Sequence, residues 1–141
     1  MLNNLWPILI VVGANCLYHI SSKSTPSSVN SFASLFVTYA VAAVVAGVLF
    51  FATASQKNLI AEISKTNWSS ILLGLSIVAL EFGYINAYRI GWKISVASVV
   101  ANILLACVLL FVGMLLYKEA ISPRQVLGIA VCALGLILIN K

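Results

Sequence analysis

No aspartate occurs in this chain, and only Glu62, Glu81 and Glu119 carry a side-chain carboxylate. With a single histidine as well, no nucleophile–base constellation can be assembled, and no nucleotide-binding glycine loop is present. An enzyme is therefore not expected, and neither is a cofactor. Cysteine is scarce too. Cys16, Cys107 and Cys132 all fall in apolar runs without metal-ligand spacing, so they read as small packing residues and no metal is expected. The deepest shortage is charge. Eight basic and three acidic side chains among 141 residues cannot furnish the solvated shell that a soluble core of this size needs.

What is present is apolar: 62% of the residues are hydrophobic and the mean hydropathy is +1.11. Lipid is then the main solvent, and the chain reads as an all-α integral membrane protein in contact with the bilayer. The net charge of +5 would suggest nucleic acid in a soluble protein. Here every Lys and Arg lies in or beside a break between apolar runs, where headgroups attract cations, and no basic cluster with interleaved aromatics appears. No nucleic-acid partner is expected.

Runs of about 20 apolar residues divide the chain into five expected spans. They cover Leu5–Ser21, Ser31–Thr53, Ser69–Tyr88, Ile94–Tyr117 and Pro123–Asn140, as one membrane domain over residues 1–141. The first run lacks a cationic leader and a small-x-small cleavage site, so it is expected to be retained. Ser122 suits a helix N-cap, Pro123 the first helical position and Gln125 the return bond of a capping box. The break Ser55–Asn67 carries Leu59, Ile60 and Ile63 beside Lys57, Glu62 and Lys65. It fits a short helix lying in the interface, or a solvated loop.

Five spans place the termini on opposite sides. Lys23, Arg89, Lys93 and Lys141 then face Lys57, Lys65, Lys118 and Arg124, a tie that fixes no orientation. Copies inserted both ways up would show such a tie, and so would a chain oriented by a partner. An odd-helix unit in tandem gives two inverted copies, the arrangement of many alternating-access carriers. The chain carries no internal repeat, so a carrier built from it needs its other half in another molecule.

Ionisable groups in hydrocarbon mark sites. Glu81 lies about 12 residues into the third span, too deep to snorkel, by the rise of a helix. Tyr84 and Tyr88 follow on the same helix face. A carboxylate with two phenols suits a cation, and a proton can compete for the acid. The alternative is a structural glutamate paired with Lys or Arg, or held by a hydrogen bond. The first span offers Asn15, Tyr18, His19 and Ser22 on one stripe, with His19 reading as a hydrogen-bonded interfacial imidazole ahead of a proton relay. The fourth span offers Ser95, Ser98 and Asn102, and the second offers Ser34 and Thr38. Polar faces on spans one, three and four are expected to converge on one aqueous cavity. Gly128, Cys132 and Gly135 form a small-residue stripe on the fifth span, where another helix can approach.

The stretch from Leu115 to Gly128, with Lys118, Glu119, Ser122, Pro123, Arg124 and Gln125 at its centre, resembles the end of an EamA-like repeat of the drug/metabolite transporter superfamily. In that pattern a helix ends on an acidic residue, a short Ser/Pro turn follows, and a Gly-rich helix closes the repeat. Lys118 stands where the pattern usually has Gly, and the fourth span lacks a commonly seen Pro. The resemblance implies a five-helix unit that works as half of a ten-helix carrier, or as a dimer. The chain is also similar to the small multidrug resistance proteins, antiparallel dimers whose essential Glu precedes a Lys by eight residues. At that spacing from Lys23 this chain has Asn15, so that coupling residue is not carried over.

The expectation is a dimeric carrier of a small organic solute, cationic among the options, in a bacterial inner membrane. Glu81 holds a proton or a cationic group, and Tyr84, Tyr88, Asn15, His19, Asn102 and Ser98 line the site. A homodimer, antiparallel or not, or a heterodimer with a second short membrane chain completes the carrier. A half-transporter resembling lipid-linked sugar flippases and a non-transporting membrane scaffold remain as alternatives.

Overall fold

Long apolar runs free of internal proline leave the backbone no cheaper way to satisfy its polar groups in lipid than a helix. The computed structural model describes residues 5–55, 57–120 and 122–139. Among them every regular element is an α-helix. In chain order these are α1 (Trp6–Ser24), α2 (Ser31–Thr53), α3 (Leu59–Ile63), α4 (Trp68–Arg89), α5 (Ile94–Tyr117) and α6 (Pro123–Ile139). Asn140, the expected last residue of the fifth span, and Lys141 and Ile121 lie outside the described residues.

Local chemistry sets most of the helix ends. Asn30 caps α2 by accepting from the N–H of Phe32 at 2.8 Å, and Asn58 caps α3 through Ala61 at 3.2 Å. A reciprocal capping box opens α6: the Ser122 N–H donates to Gln125 Oε1 at 2.8 Å, and the Gln125 N–H donates to Ser122 Oγ at 3.3 Å. α5 ends on Lys118 in the left-handed region, with φ 52°. The N–H groups of Lys118 and Glu119 both turn back to the Gly113 carbonyl, closing the helix with a left-handed residue at a position that favours glycine. Glu119 folds over Gly113, where an added Cβ would stand 2.6 Å from Oε2. Gly91, at φ 102°, supplies the turn after α4.

The chain forms two compact units, Met1–Arg89 and Ile90–Lys141. In the first, α1 and α2 each pack on α4, with Phe32 stacked on Phe82 at 4.8 Å and Leu35 and Ile85 buried. In the second, α5 packs on α6.

α2, α4 and α5 are long and apolar enough to cross a membrane. The described apolar stretch of α6, Pro123–Gly135, is shorter. α1 has 19 residues but does not join the three, because its C-terminal half carries Asn15, Tyr18, His19, Ser21, Ser22, Lys23 and Ser24. The many exposed Leu, Ile, Val and Phe side chains on these helices are the outer surface that lipid would cover.

Candidate functional site

The polar half of α1 meets α4 through its aromatic side chains. Tyr84 and Tyr88 sit one turn apart on α4, rings stacked at 6.0 Å. His19 stands edge-on to both, 4.7 Å from the Tyr84 ring and 6.2 Å from that of Tyr88. Tyr18 is edge-on to Tyr84 at 5.8 Å and to His19 at 5.1 Å. His19 and Tyr88 are both buried, and His19 Nδ1 shares a hydrogen bond of 2.9 Å with the Tyr88 hydroxyl. Lys23 Nζ lies over the Tyr88 ring, 5.5 Å from its centre.

One turn before Tyr84, Glu81 is half-buried beside this aromatic group. The one salt bridge among the described residues is the exposed pair Lys65–Glu62, so Glu81 forms none. Of the expected structural alternative, the pairing with Lys or Arg is absent among the described residues, while Tyr39 stands as a hydrogen-bonding partner of the carboxylate. Its interactions are with phenols. Tyr39 of α2 interacts with the carboxylate, and Tyr18 lies within its electrostatic reach. The hydroxyls of both Tyr39 and Tyr18 are buried, and their side-chain partners are Glu81 for Tyr39 and Ser22 for Tyr18, each outside ideal hydrogen-bond geometry.

At the end where α1 and α4 finish, Arg89 fastens the α1–α2 loop. Its guanidinium donates to Ser31 Oγ at 2.7 Å, to the Val29 carbonyl at 2.6 Å and to the Pro26 carbonyl at 3.1 Å. A guanidinium fork suits this task because it presents several donors in one plane. Ser31 is buried, so the contact closes this end of the unit below the His19–Tyr88 pair.

Asn15 is exposed and makes no side-chain hydrogen bond among the described residues. Ser98 and Asn102 belong to α5 in the second unit; Ser98 Oγ donates to its own helix at the Ile94 carbonyl, 2.9 Å away, and Asn102 is exposed. On α6, Gly128 and Cys132 are exposed, and a Cβ added at Gly128 or Gly135 would meet nothing within 4 Å.

Sequence reasoning missed Tyr39 and the structural part played by Arg89. Tyr39 had a signal: it is the one tyrosine in the apolar run of α2. Arg89 had less, since its acceptors are loop carbonyls that any residue supplies.

Among known families, the model of the EamA-like transporter family matches residues 4–141, which takes in all six helices. No curated protein and no solved structure matches the chain.

Proposed function

The chain belongs to the EamA-like transporter family, a membrane transporter of the drug/metabolite type, and from that premise we propose that it carries a small organic solute through a site centred on Glu81. The observation that carries this reading is a half-buried carboxylate without an ion pair among the described residues, with the phenol of Tyr39 as its partner, Tyr18 within electrostatic reach and Tyr84 one turn further along α4. A carboxylate attracts a cation or a proton, and tyrosine faces complement a cationic group.

In this reading α1 and α6 also cross the membrane, completing five spans with α2, α4 and α5. The unit pairs with a second one to form the carrier, using the open Gly128–Cys132–Gly135 stripe for close helix approach. Glu81 holds either the coupling proton or a cationic group of the solute. Access alternates when the end fastened by Arg89 and the His19–Tyr88 pair opens. The setting is the cell membrane, in a bacterium the inner one.

The test is transport in proteoliposomes. Glu81→Gln keeps shape and volume but removes the charge. Uptake driven by a pH gradient is expected to vanish while cross-linked dimer yield stays at the wild-type level. Unchanged uptake by the Gln variant removes Glu81 from the coupling.

A further inference from the structure

The segment between α2 and α4 is held at both ends. α2 stops at Thr53 and α4 starts at Trp68, and both are long and apolar enough to cross a membrane. Between them α3 has five residues, a rise of about 7 Å, and cannot span. Residues 64–67 join it to α4 through a folded turn rather than a slack loop. The Lys65 N–H donates to the Glu62 carbonyl at 3.1 Å and the Thr66 N–H to the Ile63 carbonyl at 3.0 Å. Asn67 Oδ1 then accepts from the Ser69 N–H at 3.0 Å at the start of α4. α3 is thus fixed at the level where α4 begins.

The length of α4 says what that level is. From Trp68 to Arg89 the helix extends about 32 Å, close to the ~30 Å of a bilayer's hydrocarbon core. With Arg89 at one headgroup layer, Trp68 stands at the other, and its exposed indole suits that belt. The side chains of α3 sort by chemistry at the same level. Leu59, Ile60 and Ile63 share one helix face, with Ile60 81% exposed. Glu62 lies off that face and pairs with Lys65 Nζ at 2.5 Å. A helix this short is not stable by itself in water, so its surroundings must favour it.

We infer that α3 is an interfacial anchor whose Leu59–Ile60–Ile63 face beds into the boundary between lipid headgroups and acyl chains, level with Trp68. That face continues the apolar outer surface of α2 and α4, so its occupant is lipid. Because Glu62 pairs with Lys65, apolar burial carries the attachment and a zwitterionic bilayer suffices. The anchor does not depend on what Glu81 binds.

The test places single indoles in a chain carrying Trp6→Phe, Trp68→Phe and Trp92→Phe, using Ile60→Trp, Ile63→Trp and Ala61→Trp one at a time. In phosphatidylcholine nanodiscs, Ile60→Trp and Ile63→Trp are expected to emit at shorter wavelength than Ala61→Trp. They should lose emission to lipids brominated on the upper acyl chain and resist iodide, whereas Ala61→Trp should lose emission to iodide. Adding phosphatidylglycerol or raising the salt should leave this pattern unchanged. Equal iodide quenching in all three variants makes the segment a solvated loop and overturns the anchor. Shielding of Ile60→Trp and Ile63→Trp from both quenchers assigns the face to a protein partner and overturns it as well. Shielding that appears only with phosphatidylglycerol and vanishes at high salt overturns attachment by apolar burial. If the tryptophan-free background does not fold, spin labels read the same contrast. They are attached through Ile60→Cys or Ala61→Cys, with Cys16→Ala, Cys107→Ala and Cys132→Ala. The Ile60→Cys label should favour oxygen and the Ala61→Cys label a water-soluble nickel chelate; equal accessibility overturns the anchor.

Discussion

Replacing Arg89 tests the fastening of the α1–α2 loop to the end of α4. The guanidinium serves Ser31 Oγ and two loop carbonyls at 2.7, 2.6 and 3.1 Å. Hydrogen bonds to a charged group contribute about 1.5–3 kcal/mol each when buried. Two of the three are exposed, and the Arg89 Nε is buried without a partner, so the sum must be discounted heavily. Arg89→Ala is expected to cost about 2–3 kcal/mol, most of it from leaving buried Ser31 without its donor. Arg89→Lys keeps the charge but offers one compact ammonium where a planar fork reached three acceptors, and should cost about half as much.

Thermal unfolding in detergent, followed by circular dichroism, reads these differences. At about 3–5 °C per kcal/mol for a chain of this length, Ala should lower Tm by roughly 8–12 °C and Lys by roughly 4–6 °C. Ser31→Ala supplies the internal control. Alone it should be mildly destabilising; added to Arg89→Ala it should cost almost nothing more, because its donor is already gone. A Lys variant as stable as wild type, or Ser31→Ala costs that simply add, would refute the argument that one guanidinium binds all these oxygens together.

Lys118 holds a left-handed conformation that costs a residue with a Cβ roughly 1–2 kcal/mol, so Lys118→Gly should raise Tm by a few degrees. A fall in Tm would mean the Lys118 side chain contributes more than its backbone costs. Ser122→Ala removes both Oγ bonds of the α6 capping box and should destabilise by about 1 kcal/mol, with Ser122→Asp close to neutral. A Cβ added at Gly128 meets nothing within 4 Å, so Gly128→Leu should leave the monomer's melting intact while abolishing cross-linked dimer; persistent dimer would move the interface off that stripe.

Helix positions were legible in the sequence because lipid forces long apolar runs into one conformation. α2 and α5 start and stop at the expected residues, Ser31–Thr53 and Ile94–Tyr117. α1 runs past its expected end at Ser21 to Ser24. Its polar tail read as a loop, yet Ser24 Oγ and Thr25 Oγ1 donate back to the carbonyls of Ile20 and Ser21 and finish the helix. Hydropathy cannot see such back-bonding. The same polarity keeps α1 outside the three helices that are apolar enough to span by themselves.

The site was half legible. Glu81, Tyr84 and Tyr88 share a stripe, which periodicity reveals within one helix. The partners that α1 and α2 bring, Tyr18, His19 and Tyr39, depend on helix rotation and depth, which periodicity does not fix. Tyr18 and His19 were visible as members of a polar stripe; Tyr39 was hidden beside Thr38 in an apolar run. The Arg89 clamp was invisible for a different reason: its backbone acceptors carry no side-chain signature.

The clamp and the acid explain each other. Glu81 and Arg89 are eight positions apart on one helix, about 12 Å along its axis, and a long guanidinium arm can shorten that gap. Arg89, the last residue of α4, gives its guanidinium to Ser31 Oγ and the carbonyls of Pro26 and Val29. Loop dipoles disperse its charge without neutralising the acid. Glu81 consequently forms no salt bridge among the described residues and has Tyr39 as its side-chain partner. A chain that needed Glu81 only for packing would gain by letting Arg89 reach it. Keeping the two apart fits the cation-binding role proposed for Glu81.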